Sequence, residues 1–171
     1  KKAKRLIKLK KSLPLESIKE HESNNMNYID FREKIESNIS EEKISIIAEI
    51  KKASPSAGII VQDHNPVKIA EKFNDNKVTC LSVLTEEEFF LGNIDHIYKI
   101  KSKMIPMHQS GMHLPILCKD FFIDPYQVHL AKYYGADAIL IILSAVTEKI
   151  ANQLYEEALK LDMSVIVEVH T

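Results

Sequence analysis

Short apolar segments alternate with helix-type segments along most of this chain, and this alternation limits the possible folds more than any other feature. The apolar segments have the length and composition of buried strands at about residues 44–50, 78–84, 114–118, 138–143 and 164–169. They recur at intervals of roughly 25–35 residues, the size of one strand–helix unit. Regular alternation predicts a parallel sheet covered by helices, which is an α/β fold.

The segments between the strands carry helix signals. Asn65 followed by Pro66 is typical of a helix start, because proline fits the first helical turn, and Asp124-Pro125 repeats the pattern. Helices are predicted at about residues 65–74, 94–103, 124–135 and 148–161, and two more before the first strand at 1–11 and 28–39, separated by a loop at 24–27. We therefore divide the chain into an N-terminal helical extension (1–43) and five strand–helix units (44–171).

The first eleven residues are strongly basic, with Leu6, Ile7 and Leu9 among the lysines. Such a segment could be an arm that binds a membrane or nucleic acid. It could equally be a helix that lies on the domain through its apolar residues and leaves its lysines in solvent. We favour the second interpretation because Leu13-Pro14-Leu15 continues the apolar pattern.

Two architectures fit the alternation, the doubly wound open sheet and the (β/α)₈ TIM barrel. No Gly-x-Gly-x-x-Gly follows the first strand, so dinucleotide binding lacks support. Polar residues follow every predicted strand in turn: Lys51, Thr85, Lys119, Ser144 and Glu168. A barrel gathers all its strand ends at one face, whereas an open sheet gathers only those at a switch point. The sequence therefore predicts a TIM barrel, truncated after about strand five, because a barrel needs about 250 residues and this chain has 171.

Composition excludes several function classes. The chain is 45% hydrophobic and 27% charged, with a formal net charge of -1, which argues against a dedicated nucleic-acid binder. No apolar run is long enough to span a membrane. Cys80 and Cys118 lie in predicted strands without metal-type spacing, so we expect buried free thiols in a reducing cytoplasm. His108 and His113 fall in a predicted loop at 104–113 with no accompanying carboxylate, and we expect neither a metal nor another cofactor.

The end of the first strand carries two charges on one face. Glu49 and Lys51 are two residues apart, so their side chains point the same way. A buried strand seldom does this except at its end, where the charges are either solvated or belong to a site. Ser54-Pro55-Ser56 then breaks the strand and offers hydroxyl and N–H groups to an anion. The short pattern alone leaves both interpretations open.

Five separated motifs make the interpretation more specific. They are A-E-I-K-K-A-S-P-S at 48–56, S-V-L-T-E at 82–86 with F-F-L-G at 89–92, P-I-L-C-K-D-F at 115–121, G-A-D-A at 135–138 and V-E-V-H at 167–170. In sequence and order they resemble the indole-3-glycerol phosphate synthase family, lyases of tryptophan biosynthesis. The resemblance covers nearly the whole chain and is weakest before Ser40. It implies a TIM barrel with an extra N-terminal helix.

The resemblance also implies a reaction and its residues. The family closes the ring of 1-(2-carboxyphenylamino)-1-deoxyribulose 5-phosphate, with loss of CO₂ and water, to give indole-3-glycerol phosphate. By resemblance Lys119 is the general acid. In a narrow mouth beside Phe121, desolvation and a neighbouring cation would both favour the neutral amine, so the lysine would give up its proton readily. Lys51 matches a substrate-binding lysine that is sometimes also treated as an acid. Glu49 would hold a lysine or the substrate hydroxyl, and Glu168 matches the base of the dehydration.

The remaining predicted site residues would bind the substrate. The hydroxyls would hold phosphate or order the first loop, and the apolar residues would form a wall around the aromatic ring. The set is Ser54, Pro55, Ser56, Phe90, Phe121 and Leu140. Cys118 precedes Lys119, so it should point to the helices and serve in packing. By spacing His170 shares the face of Glu168, and we expect it to be structural.

Two alternatives remain open. One is another phosphosugar-binding TIM barrel, such as phosphoribosylanthranilate isomerase, and the other is an inactive truncated fragment. The family's phosphate cradle comes from strands seven and eight, after Thr171. We therefore expect the chain alone to be inactive, and its missing C-terminal barrel half to be supplied in cis or as a second chain. The expected ligand is a small phosphorylated substrate in the cytoplasm, with no nucleic acid and no membrane as partner.

Overall fold

The computed structural model describes residues 1–22, 28–104 and 114–170. The helices are α1 (Lys2–Ser12), α2 (Leu15–Glu22), α3 (Phe31–Ser40), α4 (Pro66–Asp75), α5 (Asp95–Met104), α6 (Tyr126–Tyr133) and α7 (Glu148–Lys160), with a short 3₁₀ helix at Leu143–Ala145. The strands are β1 (Ile47–Ile50), β2 (Ala53–Ser54), β3 (Gly58–Ile59), β4 (Cys80–Leu84), β5 (Ile116–Lys119), β6 (Ala138–Ile142) and β7 (Ser164–Glu168). The predicted α/β fold is confirmed.

Five of the strands form one parallel sheet in the order β1-β4-β5-β6-β7. Each strand pairs with the next strand of the sheet along the chain, and the order never reverses within the described residues. A doubly wound sheet reverses its order at a switch point, whereas a barrel adds its strands in sequence. The sheet therefore has the topology of part of a TIM barrel.

The two faces of this sheet pack differently. Helices α4 to α7 cover one face, and the largest apolar cluster lies there, with Leu81, Val83, Ile116 and Ile139 supplied by the strands. The alternate residues point to the other face, which is the interior of the barrel. There Cys80, Leu117, Ala138 and Leu140 pack against Phe31 at the start of α3. Side-chain alternation along each strand therefore separates helix-facing residues from interior residues.

The basic N-terminal segment is a helix that lies on the domain. Leu6 of α1 and Ile18 of α2 are buried against Tyr126 and Leu130 of α6. Lysines of α1 and the residue before it pair with acidic side chains of the loops after β4 and β5: Lys1 with Glu88, Lys2 with Asp120, and Lys10 with Asp124. Sequence patterns had not separated α2 from α1, although Pro14 marks the break between them.

The strand starts differ from the sequence prediction. The first strand begins at Ile47 rather than residue 44, since its pairing with β4 starts at Ile47, opposite Cys80. The second begins at Cys80 and the third at Ile116, each two residues later than predicted. Apolar residues precede each strand, so hydrophobicity alone extends the predicted strands too far. The predicted loop at 24–27 lies outside the described residues. So do residues 105–113 of the loop predicted at 104–113, with His108 and His113, whereas Met104 is the last residue of α5.

The two cysteines lie on opposite faces of the sheet, and both are free and buried. Cys80 belongs to the interior cluster and Cys118 to the helix-facing cluster, as the strand alternation predicts. Burial raises the pKa of each thiol to about 12. Within residues 1–22, 28–104 and 114–170, none of the helices has the length and apolar character needed to cross a membrane.

Candidate active site

Three charged side chains meet at the carboxyl ends of β1 and β5. The Lys119 Nζ donates to Glu49 Oε2 at 2.7 Å, and the Lys51 Nζ donates to Glu49 Oε1 at 2.5 Å. Glu49 therefore bridges both lysines with its two oxygens. We call Glu49, Lys51 and Lys119 the charged cluster.

Strand alternation puts the charged cluster on the interior face. Leu117 packs in the interior cluster, and Lys119 lies two residues further along the same strand. On β1, Ile50 faces the helices, so Glu49 and Lys51 point the other way. Since β4 lies between β1 and β5, the side chain of Lys119 spans β4 to reach Glu49. The gathering of strand ends in a barrel predicts that Glu49, Lys51, Lys119 and Glu168 converge at one mouth. The structure brings the first three into direct contact.

The charged cluster is partly removed from solvent and carries an excess of positive charge. The side chains of Glu49, Lys51 and Lys119 are 25%, 32% and 38% exposed. Burial by itself would raise the pKa of Glu49, but hydrogen bonds from Lys119 and Lys51 outweigh it and lower the pKa below its usual value. The stabilisation from this ionised carboxylate is therefore present above its unfolded pKa and is lost as pH falls through the lowered folded pKa.

This arrangement is suited to acid catalysis on an anionic substrate. Two ammonium groups and one carboxylate leave a net positive charge, which attracts an anion into a partly desolvated mouth. A lysine hydrogen-bonded to a carboxylate is held in one orientation, with its remaining N–H groups free to donate to a bound carbonyl or carboxylate.

Glu168 lies at the same end of the sheet, but its side chain contacts a residue outside the charged cluster. It ends β7, two strands beyond β5, and its neighbour Ile166 packs in the interior cluster, so Glu168 also faces the interior. The carboxylate is 2.8 Å from His170 Nε2. The structure thus brings Glu168 together with His170 rather than with Glu49 and the lysines. Sequence spacing had placed Glu168 and His170 on one face without predicting their contact.

The Ser-Pro-Ser segment forms a hairpin that the sequence had not predicted. Strands β2 and β3 pair antiparallel, and Gly58 has a φ of 63°, a left-handed conformation that suits glycine. Ser54 Oγ accepts a hydrogen bond from Ala57 N at 3.1 Å and lies 3.4 Å from Ser56 Oγ. Pro55 and Ser56 are exposed at the tip. The hydroxyls therefore stand on an exposed turn directly after β1.

The predicted apolar wall residues differ in burial. Phe90 and Phe121 are half-buried in the loops that follow β4 and β5. Leu140 is buried in the interior cluster, where it packs with Phe31 and Leu117. Leu140 therefore lies in the body of the interior, below the ends of the strands.

Thr85 and Asp120 form a contact on the side of the sheet that faces the helices. Thr85 Oγ1 donates to Asp120 Oδ2 at 3.0 Å and lies 3.5 Å from Cys118 Sγ. Thr85, which is one of the predicted strand-end polar residues, thus turns away from the interior. Asp120 also pairs with Lys2 of α1, which ties the N-terminal helix to the segment carrying Lys119. Sequence reasoning did not assign Asp120 a role, although it stands beside Lys119 in the P-I-L-C-K-D-F motif.

Metal ligands do not cluster in the part of the chain that the structure describes. There, no group of three or more histidine, cysteine, aspartate or glutamate side chains is arranged to hold an ion.

The sheet order and the charged cluster at its carboxyl edge define an α/β barrel-type protein with a site of the kind that binds small anions. Comparison with known families gives the particular family, because the model for "Indole-3-glycerol phosphate synthase" matches residues 1–171. The chain belongs to the indole-3-glycerol phosphate synthase family.

Individual relatives carry the same name. The chain is similar to the indole-3-glycerol phosphate synthase of Aliarcobacter butzleri, with 47% identity over 130 residues, which is 76% of this chain and 46% of the relative. It is 42% identical over 166 residues to that of Clostridium acetobutylicum, which covers 96% of this chain and 58% of the relative. A third relative, from Trichodesmium erythraeum, is 42% identical over 129 residues, 75% of this chain and 41% of the relative. The chain spans about half the length of the curated relatives it matches.

Proposed function

We propose that this chain supplies the first half of an indole-3-glycerol phosphate synthase, a carboxy-lyase of tryptophan biosynthesis. The observation that carries the proposal is the charged cluster, in which Glu49 bridges Lys51 and Lys119 at the carboxyl ends of the strands. Family membership supplies the reaction, and the positively charged interior mouth suits its anionic substrate. The enzyme would act in the cytoplasm.

The proposed reaction joins two carbon atoms of one substrate. The ring carbon that bears the carboxylate attacks the C2 carbonyl of 1-(2-carboxyphenylamino)-1-deoxyribulose 5-phosphate, while Lys119 donates a proton to the carbonyl oxygen. The bond to the carboxylate then breaks and releases CO₂, which restores electrons to the ring. The new hydroxyl then leaves as water with a proton from an ammonium group of the charged cluster. Glu168 takes a proton from the neighbouring C1 methylene, and the double bond that forms completes the indole.

The other residues would bind and orient the substrate. Lys51 is a fixed cation for the carboxylate or phosphate of the substrate, and Glu49 holds both lysines in place. Ser54 and Ser56 offer hydroxyls to an anion at the exposed turn after β1. The apolar side chains that would contact the aromatic ring are Pro55, Phe90, Phe121 and Leu140.

Replacing Lys51 by alanine is expected mainly to raise KM. A charge that holds a substrate anion acts in both the ground state and the transition state, so its loss weakens binding more than turnover. Steady-state kinetics of an enzyme that carries this chain as its N-terminal half would measure the effects on KM and kcat separately. An unchanged KM with collapsed kcat would instead make Lys51 the acid.

The two edges of the main sheet indicate that further strands pair with this half of the barrel. Within the described residues, β1 pairs only with β4 and β7 only with β6 in the main sheet, and Ile47 and Val167 on these edges are exposed. Unpaired apolar edges promote association. We infer that the remaining strand–helix units of the barrel, in cis or as a second chain, cover both edges.

This inference predicts the behaviour of residues 1–171 expressed alone. The chain should be inactive and should self-associate, since β1 and β7 each leave one edge of the main sheet unpaired within the described residues. Light scattering coupled to size exclusion would measure the association. A chimera that continues this chain with the remainder of the Aliarcobacter butzleri enzyme should be monodisperse and active. A monodisperse 171-residue monomer that melts cooperatively would contradict the inference.

The same chimera tests the reaction class. It should convert the carboxyphenylamino-deoxyribulose phosphate and leave phosphoribosylanthranilate unchanged. If the chimera converted phosphoribosylanthranilate alone, it would be an isomerase and not the proposed lyase.

A further inference from the structure

The loop after β4, residues 86–92, is folded around one buried carboxylate. Glu86 is 5% exposed, whereas the next three residues are exposed. Its Oε1 accepts the backbone N–H of Glu88 at 3.0 Å, and its Oε2 accepts those of Phe89 at 2.7 Å and Phe90 at 3.3 Å. One side chain thus binds the backbone of three consecutive residues.

The base of this loop is closed against the end of β4. Gly92 N donates to the backbone carbonyl of Glu86 at 2.7 Å. A Cβ at position 92 would lie 2.4 Å from the carbonyl oxygen of Leu84, so only glycine allows this approach. Leu91 has a φ of 51°, which turns the chain back at this point. The loop therefore has a fixed start and a fixed end, and Glu86 fills its centre.

The loop stands beside the charged cluster. Strand β4 lies between β1 and β5, and its last residue, Leu84, is the register partner of Lys119. Phe90, half-buried in the loop, therefore follows the strand that lies between those carrying Glu49 and Lys119. Its backbone position depends on the Glu86 carboxylate.

We propose that Glu86 is a positioning residue that fixes Phe90 at the wall of the active site and so sets the affinity for the aromatic ring of the substrate. The proposal rests on the function proposed above. Glu86 contacts no reacting atom in this account, and it acts only through the backbone of the loop.

Glutamine at position 86 tests the proposal with little change in size. Both carboxylate oxygens accept backbone N–H groups, whereas a glutamine amide has one accepting oxygen and one donating nitrogen. In either orientation, Glu86→Gln sets its NH₂ against at least one backbone N–H. Loss of a hydrogen bond to a charged group predicts a rise in KM of about tenfold, with kcat changed by less than about threefold.

Glu87→Gln is the matched control. Glu87 is the neighbouring acid in the same loop, but it is exposed and pairs with Arg5 of α1. Its replacement removes the same charge without touching the backbone N–H groups that Glu86 binds, so KM should stay unchanged.

A double variant separates positioning from general loss of structure. In a Phe90→Ala background, Glu86→Gln should cause no further rise in KM, because the residue it positions is already gone. An unchanged KM in Glu86→Gln, or an equal rise in both backgrounds, would overturn the proposal.

Amide hydrogen exchange gives a readout that does not depend on activity. In the completed chimera, Glu86→Gln should speed exchange at residues 88–90 and leave the strands protected, and Glu87→Gln should not. Unchanged exchange at 88–90 would overturn the proposal. If exchange changes as expected but the unmodified chimera does not turn over the substrate, the proposed function fails while the role of Glu86 in the loop stands.

Discussion

Replacing Lys119 by alanine should lower kcat far more than it changes KM. A general acid stabilises the transition state by proton transfer and adds little to ground-state binding, so its removal costs about 10²–10⁴-fold in rate. The measurement is steady-state turnover in the chimera with the full barrel. The expected loss is large because Lys119 reaches across β4 to Glu49 and so occupies one fixed position over the interior mouth.

Lys52→Ala controls for the loss of one positive charge near the site. Lys52 is the neighbour of Lys51 in the chain, but it lies outside the charged cluster and close to His64 and His96, whose pKa values are lowered by burial and further by Lys52. Its replacement should therefore leave kcat within about threefold. A loss of less than about tenfold in Lys119→Ala would move the acid role to Lys51.

Replacing Lys101 by methionine should destabilise the fold more than any other single change considered for this chain. Lys101 of α5 and Asp137 at the start of β6 are 3% and 1% exposed, and Lys101 Nζ lies 2.6 Å from Asp137 Oδ2. Removing one partner leaves an uncompensated buried charge, which costs about 3–5 kcal/mol. The free energy of unfolding of the chimera, from denaturant titration, would measure the cost.

Asp137 has further contacts that explain why the pair matters. Its Oδ1 accepts the backbone N–H of Ile29, and its Oδ2 accepts that of Ile116. The carboxylate thus ties α5, β5 and the segment before α3 together at the end of the sheet opposite the charged cluster. Lys103→Met is the matched control, since Lys103 is exposed on the same helix and its replacement should change stability by less than about 0.5 kcal/mol. A similar small effect for Lys101→Met would contradict the importance of the buried pair.

Local patterns in the sequence predicted the order of the five strands of the main sheet and of the helices between them, but missed the β2–β3 hairpin and the break between α1 and α2. Alternation along β1 and β5 also put Glu49, Lys51 and Lys119 on one face, because a strand's period of two is fixed by its geometry. Caps such as Asn65-Pro66 predicted the start of α4 to within a residue, and Asn65 accepts the backbone N–H of Lys68 as a cap should.

Features that depend on contacts between distant residues could not be predicted in this way. The pair of Lys101 and Asp137 joins two elements 36 residues apart in sequence, and no local period links them. In the sequence, Glu86 is the first of three consecutive glutamates, and only the folded loop shows that it alone among them is buried. The partner of Glu168 was likewise undetermined, because spacing gives a shared face but not a hydrogen bond.

The release of CO₂ and the formation of indole-3-glycerol phosphate, measured together in the completed chimera, show whether the charged cluster carries this reaction. We expect equal amounts of the two products from the unmodified protein. We expect neither product above background from the double variant Lys51→Ala/Lys119→Ala, which should still fold because both side chains lie at the partly exposed ends of their strands. Full turnover by the double variant, or a folded unmodified chimera that releases no CO₂, would contradict the role proposed for the charged cluster.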